Sequence, residues 1–269
     1  MKLKIPSLVL LIAGTVLTVT AAETKPLKAL LITGGCCHDY ATQKEILKKG
    51  IEARANIIVD QIHVDDGSGS PPLPIYGNPD YAAGYDVVIH DECAAGISEE
   101  KVVKDVLAPH DKGLPGVNLH CAMHSYRIGD FEKKATETGT ATTLWFEFLG
   151  LQSTGHGPQV PIGIKYTDKQ HPITQGLEDW TTVNEELYNN VHIFKTAHVL
   201  ATGTQGDQTT VVTWTNDYKG TKVFNTTIGH NNSTVEDSRY LDLVTRGLLW
   251  ATGKLDEKGK IAEGYGPKP

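Results

Sequence analysis

The chain has 269 residues, of which 39% are hydrophobic and 21% are charged, and this composition excludes a disordered chain or a fibre. Its formal charge is −7, from 25 basic and 32 acidic residues with no basic tract. This argues against a nucleic-acid binder whose affinity comes from phosphate neutralisation. The eleven histidines are left to be explained.

The first predicted element is a secretory signal peptide over residues 1–22. A basic start at Lys2 and Lys4 precedes an apolar run over residues 8–19, and small residues follow before Glu23. The run is shorter than the ~20 residues that a membrane-spanning helix needs, so we expect cleavage rather than anchoring. The mature protein is therefore predicted to be secreted or periplasmic, with no membrane contact after cleavage.

The first half of the chain is predicted to alternate strands with helices. Apolar runs predict strands at residues 27–33, 56–64, 85–91 and 114–120. Helices are expected at residues 42–55 and from Ser98 onward. A long Gly-, Ser- and Pro-rich loop is expected between the second and third strands. Such alternation predicts an α/β fold with a doubly wound, mainly parallel, flavodoxin-like sheet.

The second half is richer in predicted β-structure. A helix at residues 140–149 is followed by β segments at 160–166, 198–202, 209–214 and 222–228, and a helix at 238–251 closes the pattern. No linker composition separates two domains, so we predict one domain over residues 25–255 with a β-rich C-terminal elaboration. Residues 256–269 are predicted to be a flexible tail.

Polar residues follow three of the predicted strands, and they define the candidate site. The first strand leads to Cys36-Cys37-His38-Asp39, the third ends in His90-Asp91-Glu92-Cys93, and the fourth ends in His120-Cys121-Ala122-Met123-His124. Ligands of open parallel sheets bind beyond the carboxyl ends of the strands, so we expect one site there. Imidazoles with carboxylate favour Zn, Mn, Ni or Fe(II), whereas carboxylates alone would favour Mg or Ca.

Other chemistry-bearing residues have structural interpretations that we prefer. His124 shares a face with His120 only if a helix follows the fourth strand. Aromatic side chains such as Trp145, Tyr188 and Trp214 are more often core than sugar platforms. The four cysteines are expected to form one or two disulfides, whose pairing the sequence does not choose. His90 is predicted to be buried and hydrogen-bonded within its strand. Five other histidines are predicted to serve surfaces, turns or strand ends: His63, His110, His171, His192 and His198.

Motifs spread along the chain occur in an order that resembles one family. They are LLITGG with His38 behind it, YDVVIHDE, GVNLHCA, Gly155-His156, HPITQGL, EELY and KVFNTTIGH. Together they resemble the ThuA (trehalose utilisation) family over about residues 28–254. The resemblance implies a fold similar to that of class I glutamine amidotransferases. Glu185 stands where the family generally has Asp, and Cys121 where a Gly is usual.

The resemblance also implies which residues form the site. The catalytic candidates are His120, Glu186 and His230. The substrate-contacting candidates are His38 and Tyr188 from the resemblance, together with Asp39 and His124 from their places at the strand ends. A divalent metal such as Zn is an expected cofactor, with these candidate ligands: His38, His120, His156, Glu186 and His230.

The resemblance implies a role in carbohydrate catabolism, with a small-molecule sugar as the partner. We expect acid/base chemistry, assisted by a metal, that eliminates or hydrolyses (3-keto-)glycosides. Two alternatives remain: a noncatalytic secreted module that binds sugar or protein, and a hydrolase that uses Cys121. Glutamine hydrolysis is not expected, because His120 takes the nucleophile's place and Cys121 lacks the flanking glycines that would let a strained turn form.

Overall fold

The computed structural model describes residues 24–135 and 137–268, besides Met1. The predicted signal peptide lies outside these residues. Within the described part of the chain, no helix is both long enough and apolar enough to cross a membrane.

The first half of the chain alternates strands and helices as predicted. Its elements, in chain order, are β1 (Leu27–Gly35), α1 (Tyr40–Glu52), β2 (Ile57–Val64), β3 (Val87–Cys93), α2 (Glu100–Asp111) and β4 (Gly116–Leu119). A short 3₁₀ turn, His120–His124, follows β4 directly. Because no α-helix continues this turn, His120 and His124 do not share a helix face.

The second half is dominated by long strands. Its elements are α3 (Leu144–Leu149), β5 (Leu151–Tyr166), β6 (Trp180–Ile193), β7 (Ala197–Gln205), β8 (Gln208–Tyr218), β9 (Thr221–Thr226), α4 (Asn232–Val235) and α5 (Ser238–Ala251). The sequence pattern did not predict β6. This strand lies at the edge of the sheet and is rich in Asn, Glu and Thr, so it lacks the apolar run of a central strand.

The nine strands of the described residues form one sheet in the order β2-β1-β3-β4-β9-β8-β7-β5-β6. The prediction of an α/β fold with a β-rich C-terminal half is confirmed, but the prediction of a mainly parallel sheet is wrong. The pairings among β2, β1, β3, β4 and β9 are parallel, and those among β9, β8, β7, β5 and β6 are antiparallel. Hairpin turns cause this change, because the turn after Gln205 and the turn after Tyr218 each span two residues, too few for a crossover helix.

Helices cover both faces of the sheet. Alternate residues of β1 point to opposite sides, so that Leu31 joins the core beneath α1 and α5 while Ile32 joins the core beneath α2 and α3. The order of the strands reverses at β1, which pairs in parallel with β2 on one side and with β3 on the other. The carboxyl ends of β1, β3 and β4 therefore meet at one edge, the switch point of the fold.

The segment whose composition predicts a flexible tail, residues 256–269, contacts the domain through its described residues. Tyr265 packs against the core, and its carbonyl accepts a hydrogen bond of 3.0 Å from the backbone N–H of Asn56. The Asn56 side chain donates to the carbonyls of Gly264 (2.9 Å) and Thr24 (3.1 Å). These contacts lie beside the start of β2, at the end of the parallel strands opposite the switch point.

Candidate metal centre

Four side chains from separate parts of the sheet converge at the switch-point edge. His38 follows β1, His120 begins the turn after β4, His230 follows β9, and Glu186 lies on β6. One ligand atom from each of these residues lies within 4.8 Å of every other. We call these four residues the metal cluster. The fold thus brings together four of the five predicted metal ligands.

The metal cluster contains polar atoms that the described residues leave without hydrogen bonds. Nε2 of His38, Nε2 of His120 and Nδ1 of His230 are buried and have no hydrogen-bond partner there. The nearest carboxylate oxygens of Glu186 are 3.4 Å from the His120 nitrogen and 3.3 Å from the His230 nitrogen. Since unpartnered buried polar groups are costly and uncommon, this arrangement fits a bound cation.

The protonation of the rings also fits a cation. His120 Nδ1 lies 2.7 Å from the carbonyl oxygen of Thr227, so Nδ1 carries the proton and Nε2 presents a lone pair. Burial and then the neighbouring His120 and His230 lower the pKa of His38 to about 2. Burial lowers the pKa of His230 as well. Neutral imidazoles are the form that binds metals.

The carboxylate of the metal cluster is ionised. Burial acts to raise the pKa of Glu186, but the neighbouring His120 and His230 rings and the Gln159 amide outweigh it and lower the pKa to about 2. The Gln159 side chain donates a 3.0 Å hydrogen bond to Glu186 Oε1 and fixes its position. Three imidazole nitrogens and one carboxylate are a donor set suited to Zn and similar divalent ions.

His120 projects into the site from a strained turn. Its backbone φ is +38°, in the left-handed region that side chains other than glycine rarely adopt. Gly229 packs against the turn at φ +133°, where an added Cβ would lie 2.7 Å from Tyr240 Oη and 3.5 Å from His120 Cβ. The strained residue of the turn is thus His120, and Cys121 does not have a positive φ. The close approach of Gly229, distant in sequence, leaves room for the turn.

Glu185 positions the loop that carries His230, a role the sequence did not reveal. Its side chain is fully buried and accepts hydrogen bonds from the backbone N–H groups of Gly229, His230 and Asn231 at 3.0–3.2 Å. Gln43 on α1 donates to the His230 carbonyl oxygen at 2.9 Å. The sequence held one signal of this role, the adjacent Glu185-Glu186 pair. Successive residues of a strand point in opposite directions, so two adjacent glutamates are expected to make different contacts.

His156 lies beside the metal cluster at the mouth of a cavity. Its Nε2 is 3.6 Å from Glu186 Oε2, and its side chain is 43% exposed. The cavity has a volume of about 610 Å³, and its lining includes His156, Tyr188, Asn189, Asn190, Asp207 and Thr210. His156 is therefore the predicted site histidine that combines contact with the metal cluster and access to solvent.

Tyr188 and His124 form a stacked pair behind this cavity. Their ring centroids are 4.2 Å apart with an interplanar angle of 9°, and both residues are buried. His124 Nε2 lies 2.9 Å from Ser153 Oγ, which occupies this nitrogen with a hydrogen bond. His124 thus lies outside the metal cluster, and it supports the ring of Tyr188.

The comparison with known families agrees with the resemblance seen in the sequence. A family model described as ThuA, trehalose utilisation, matches residues 28–251. This chain belongs to the ThuA family. No curated protein matches it at a significant level.

Solved structures similar to this ThuA-family chain support the fold. A candidate ThuA-like protein from Parabacteroides merdae has a TM-score of 0.66 at 20% identity, covering 91% of this chain and 98% of its own. A candidate GMP synthase protein from Thermoplasma acidophilum has a TM-score of 0.50 at 10% identity, covering 85% and 94%. A β-galactosidase from Rahnella sp. R3 has a TM-score of 0.53 at 15% identity, covering 86% and 32%. At these identities the likeness concerns the fold, which fits the predicted glutamine amidotransferase-like architecture.

In this ThuA-family chain the cysteines form two disulfides, Cys36–Cys37 and Cys93–Cys121. Every cysteine in the described part of the chain is paired. Cys121 follows His120 immediately and is only 6% exposed. Because its sulfur is bonded to Cys93, this state offers no Cys121 thiolate for a hydrolase.

The other residues weighed from the sequence lie away from the metal cluster. His90 is fully buried and lies 2.8 Å from Glu92 Oε1 through Nδ1 and 3.1 Å from His110 through Nε2. The expectation of a surface, turn or strand-end role for His110 is wrong, because this residue is fully buried in the last turn of α2. Trp145 and Trp214 are buried in the core.

Asp39 caps α1 at the edge of the site. Its Oδ1 accepts a hydrogen bond from the backbone N–H of Thr42 (3.2 Å), and its Oδ2 accepts one from the Asn232 side chain (2.8 Å). We expect Asp39→Ala to lower the free energy of unfolding by about 1 kcal/mol, as loss of a helix cap does, and to leave metal affinity unchanged. Urea unfolding and zinc titration measure both effects. Asp39→Asn keeps the cap and is the control; reduced sugar binding by that variant at unchanged stability would indicate a substrate contact instead.

Proposed function

We propose that this ThuA-family protein is a divalent-metal-dependent enzyme that acts on carbohydrates. The observation that carries the proposal is the set of three buried, unpartnered ring nitrogens around the Glu186 carboxylate. Membership of a family described by trehalose utilisation supports a carbohydrate-related role. The leading segment, with its signal-peptide pattern, supports action outside the cytoplasm, secreted or periplasmic.

The residues of the metal cluster would hold the ion, with Gln159 and Glu185 fixing their positions. Zn, or a similar ion of the same ligand preference, would supply positive charge that stabilises a negative oxygen on the substrate. The roles assigned from the sequence therefore change in this proposal. His38, His120, Glu186 and His230 act as ligands, which leaves the proton-transfer role to a residue outside the metal cluster.

His156 is the residue we assign to proton transfer. Its ring reaches both the cavity and Glu186, and its partial exposure allows exchange of the proton with solvent. Nδ1 lies 3.0 Å from the carbonyl oxygen of Gly157, so Nδ1 carries a proton and Nε2 is the basic nitrogen. A general base of this kind contributes to catalysis when it is held within reach of the substrate proton.

The substrate class that fits these groups is a 3-keto-glycoside. A ketone at C3 acidifies the hydrogen on C2, so His156 can accept that proton as the negative charge moves to the ketone oxygen. The electron pair then expels the glycosidic oxygen from C1, the leaving group takes up a proton, and water adds to the unsaturated product. Amide and hydroxyl side chains of Asn189, Asn190 and Thr210 offer hydrogen bonds to the sugar hydroxyls.

Metal analysis and an assay on a methyl 3-keto-glucoside test the proposal. We expect the purified protein to bind about one equivalent of a divalent transition metal and to lose turnover with a chelator. His156→Gln is expected to lower kcat by about 100-fold at unchanged metal content, because it removes the base and keeps the ligands. His192→Gln, which changes a histidine remote from the metal cluster, is the matched control.

Two results would contradict this function. One is equal turnover by His156→Gln and the unmodified protein, which would remove His156 from the reaction. The other is a metal-loaded protein that binds the sugar without converting it, which would support the noncatalytic binding module instead.

A further inference from the structure

The four cysteines of the chain gather next to the metal cluster. Cys36 and Cys37 follow β1, Cys93 ends β3, and Cys121 follows His120 in the turn after β4. The two disulfides contact each other, because Cys36 Sγ lies 3.7 Å from Cys93 Sγ. Residues remote in sequence are thus placed in contact by the switch point of the sheet.

Access to the two disulfides differs sharply. Cys37 is exposed and Cys36 is partly buried, so the Cys36–Cys37 bond is open to a reductant in solution. Cys93 is 3% exposed and Cys121 is 6% exposed. Thiol–disulfide exchange requires contact between the attacking thiolate and a disulfide sulfur. The Cys93–Cys121 disulfide, which we call the inner bond, is therefore shielded from direct attack. Cys36 Sγ is bonded to the accessible Cys37 and also contacts Cys93 Sγ of the inner bond.

The inner cysteines also reach the metal cluster. One ring nitrogen of His38 and the sulfurs of Cys93 and Cys121 lie within 4.8 Å of one another. A thiolate released from Cys121 would therefore lie within 4.8 Å of a ring nitrogen of His38, a member of the metal cluster. Thiolate is a strong ligand for Zn, whereas Mn prefers carboxylate and water.

We propose that the four cysteines form a thiol–disulfide relay that delivers a Cys121 thiolate to the metal cluster when a dithiol reduces the Cys36–Cys37 bond. The delivery step rests on the metal site proposed above, and the exchange step does not. The relay gives this surface a second chemistry, thiol exchange with a dithiol substrate, and couples it to the ligand set of the metal.

The exchange proceeds in balanced steps. A thiolate of the dithiol attacks Cys37 Sγ and breaks the Cys36–Cys37 bond, and the second thiol of the reductant closes its own disulfide and releases Cys37. Two electrons have then passed from the dithiol to the protein. The Cys36 thiolate attacks Cys93 Sγ, a Cys36–Cys93 bond forms, and the Cys93–Cys121 bond breaks with Cys121 leaving as thiolate.

Disulfide mapping of the full chain tests the exchange step. In Cys37→Ser the Cys36 thiol has no vicinal partner, so we expect a Cys36–Cys93 disulfide and an alkylated Cys121 without any reductant. The sample is quenched at low pH, which stops further exchange, and is alkylated with a maleimide in denaturant and chelator so that buried thiols also react; the cross-linked peptides are then identified by mass spectrometry. Recovery of the Cys93–Cys121 peptide alone, with Cys36 alkylated, would overturn the relay.

The unmodified protein and Cys36→Ser provide the matched comparison, each treated with one equivalent of dithiothreitol. We expect alkylation at Cys37 and Cys121 in the unmodified protein, and none at Cys121 in Cys36→Ser, because the connecting sulfur is missing. Equal alkylation of Cys121 in both proteins would show direct reduction of the inner bond and would overturn the relay. Folding of the unmodified protein and of Cys36→Ser requires no new disulfide, so the circular dichroism spectra of the two proteins are expected to match.

Cobalt binding tests delivery to the metal cluster. Each protein is treated with one equivalent of dithiothreitol, freed of it by gel filtration and then loaded with Co²⁺. We expect a sulfur-to-cobalt charge-transfer band in the treated unmodified protein, and no such band in the oxidised protein or in treated Cys36→Ser. If the mapping shows disulfide exchange and the cobalt spectrum does not change, the delivery of the Cys121 thiolate to the metal cluster is overturned. A protein that binds no cobalt in either state would instead contradict the metal site of the proposed function, and the mapping would still decide the exchange.

Discussion

Glu186→Gln is expected to lower the affinity of the protein for Zn²⁺ by more than about 100-fold, since even residues that only support metal ligands cost 10- to 100-fold when changed. Glu186 is the one carboxylate of the metal cluster, and its oxygens lie 3.3–3.4 Å from nitrogens of His230 and His120. The amide has nearly the same shape, but it carries no charge and is a weaker ligand. The expected loss of affinity therefore comes from removing the negative charge that lies among the three imidazoles of the metal cluster.

Competition with a chromophoric chelator at fixed pH measures this affinity. Glu178→Gln removes an equal charge from an exposed position and is the matched control. Unchanged affinity in Glu186→Gln, with affinity also unchanged in His120→Ala, would show that the metal binds elsewhere. Turnover of the 3-keto-glucoside is expected to fall together with metal content and to be restored only in proteins that regain the metal.

Glu185→Ala is expected to lower the free energy of unfolding by about 3 kcal/mol, because each buried backbone donor left without a partner costs about 1–3 kcal/mol. Three N–H groups, from Gly229 to Asn231, depend on this one carboxylate. The same change frees the loop that carries His230, so metal affinity should fall even though Glu185 touches no metal. Its effect on the site is one of positioning.

Urea unfolding of the metal-free protein separates the stability effect from metal binding. Glu185→Gln is the informative partner, since its single carbonyl oxygen can still accept part of these hydrogen bonds and should lose less stability and less affinity. Glu178→Ala controls for the loss of a glutamate side chain from an exposed position. A Glu185→Ala protein as stable as the unmodified one would contradict the role of this carboxylate in holding the loop.

The parallel half of the fold was predictable from the sequence because its strands are buried on both faces. Leu27–Gly35 is largely apolar and is followed by a polar cluster, whereas Val87–Cys93 begins with an apolar run and ends in its own buried polar cluster. The β6 strand was not predictable in the same way. It pairs with β5 alone, so one side faces solvent, and its pattern mixes buried Leu187 and Tyr188 with exposed neighbours.

The site was predictable in part for the same reason. His38 and His120 follow two strands that the sequence pattern predicts. The topology places the carboxyl ends of such strands together. Glu186 was predicted from the family resemblance alone. Nothing in the local sequence pattern shows that a residue on an edge strand lies over the switch point. The β5–β6 pairing has register shifts between Ser153 and Gln159, and these irregularities place His156 beside Glu186. Such bulges depend on tertiary packing and leave no periodic signal.

The contacts of Asn56 have a practical consequence for engineering the protein. Its side chain joins the backbone of Thr24 to that of Gly264, so both ends of the folded domain meet at one point. That point lies at the end of the parallel strands remote from His38 and His120. A short linker from residue 265 to residue 24 would therefore permit circular permutation, and a tag or surface attachment placed there would leave the cavity facing the solution.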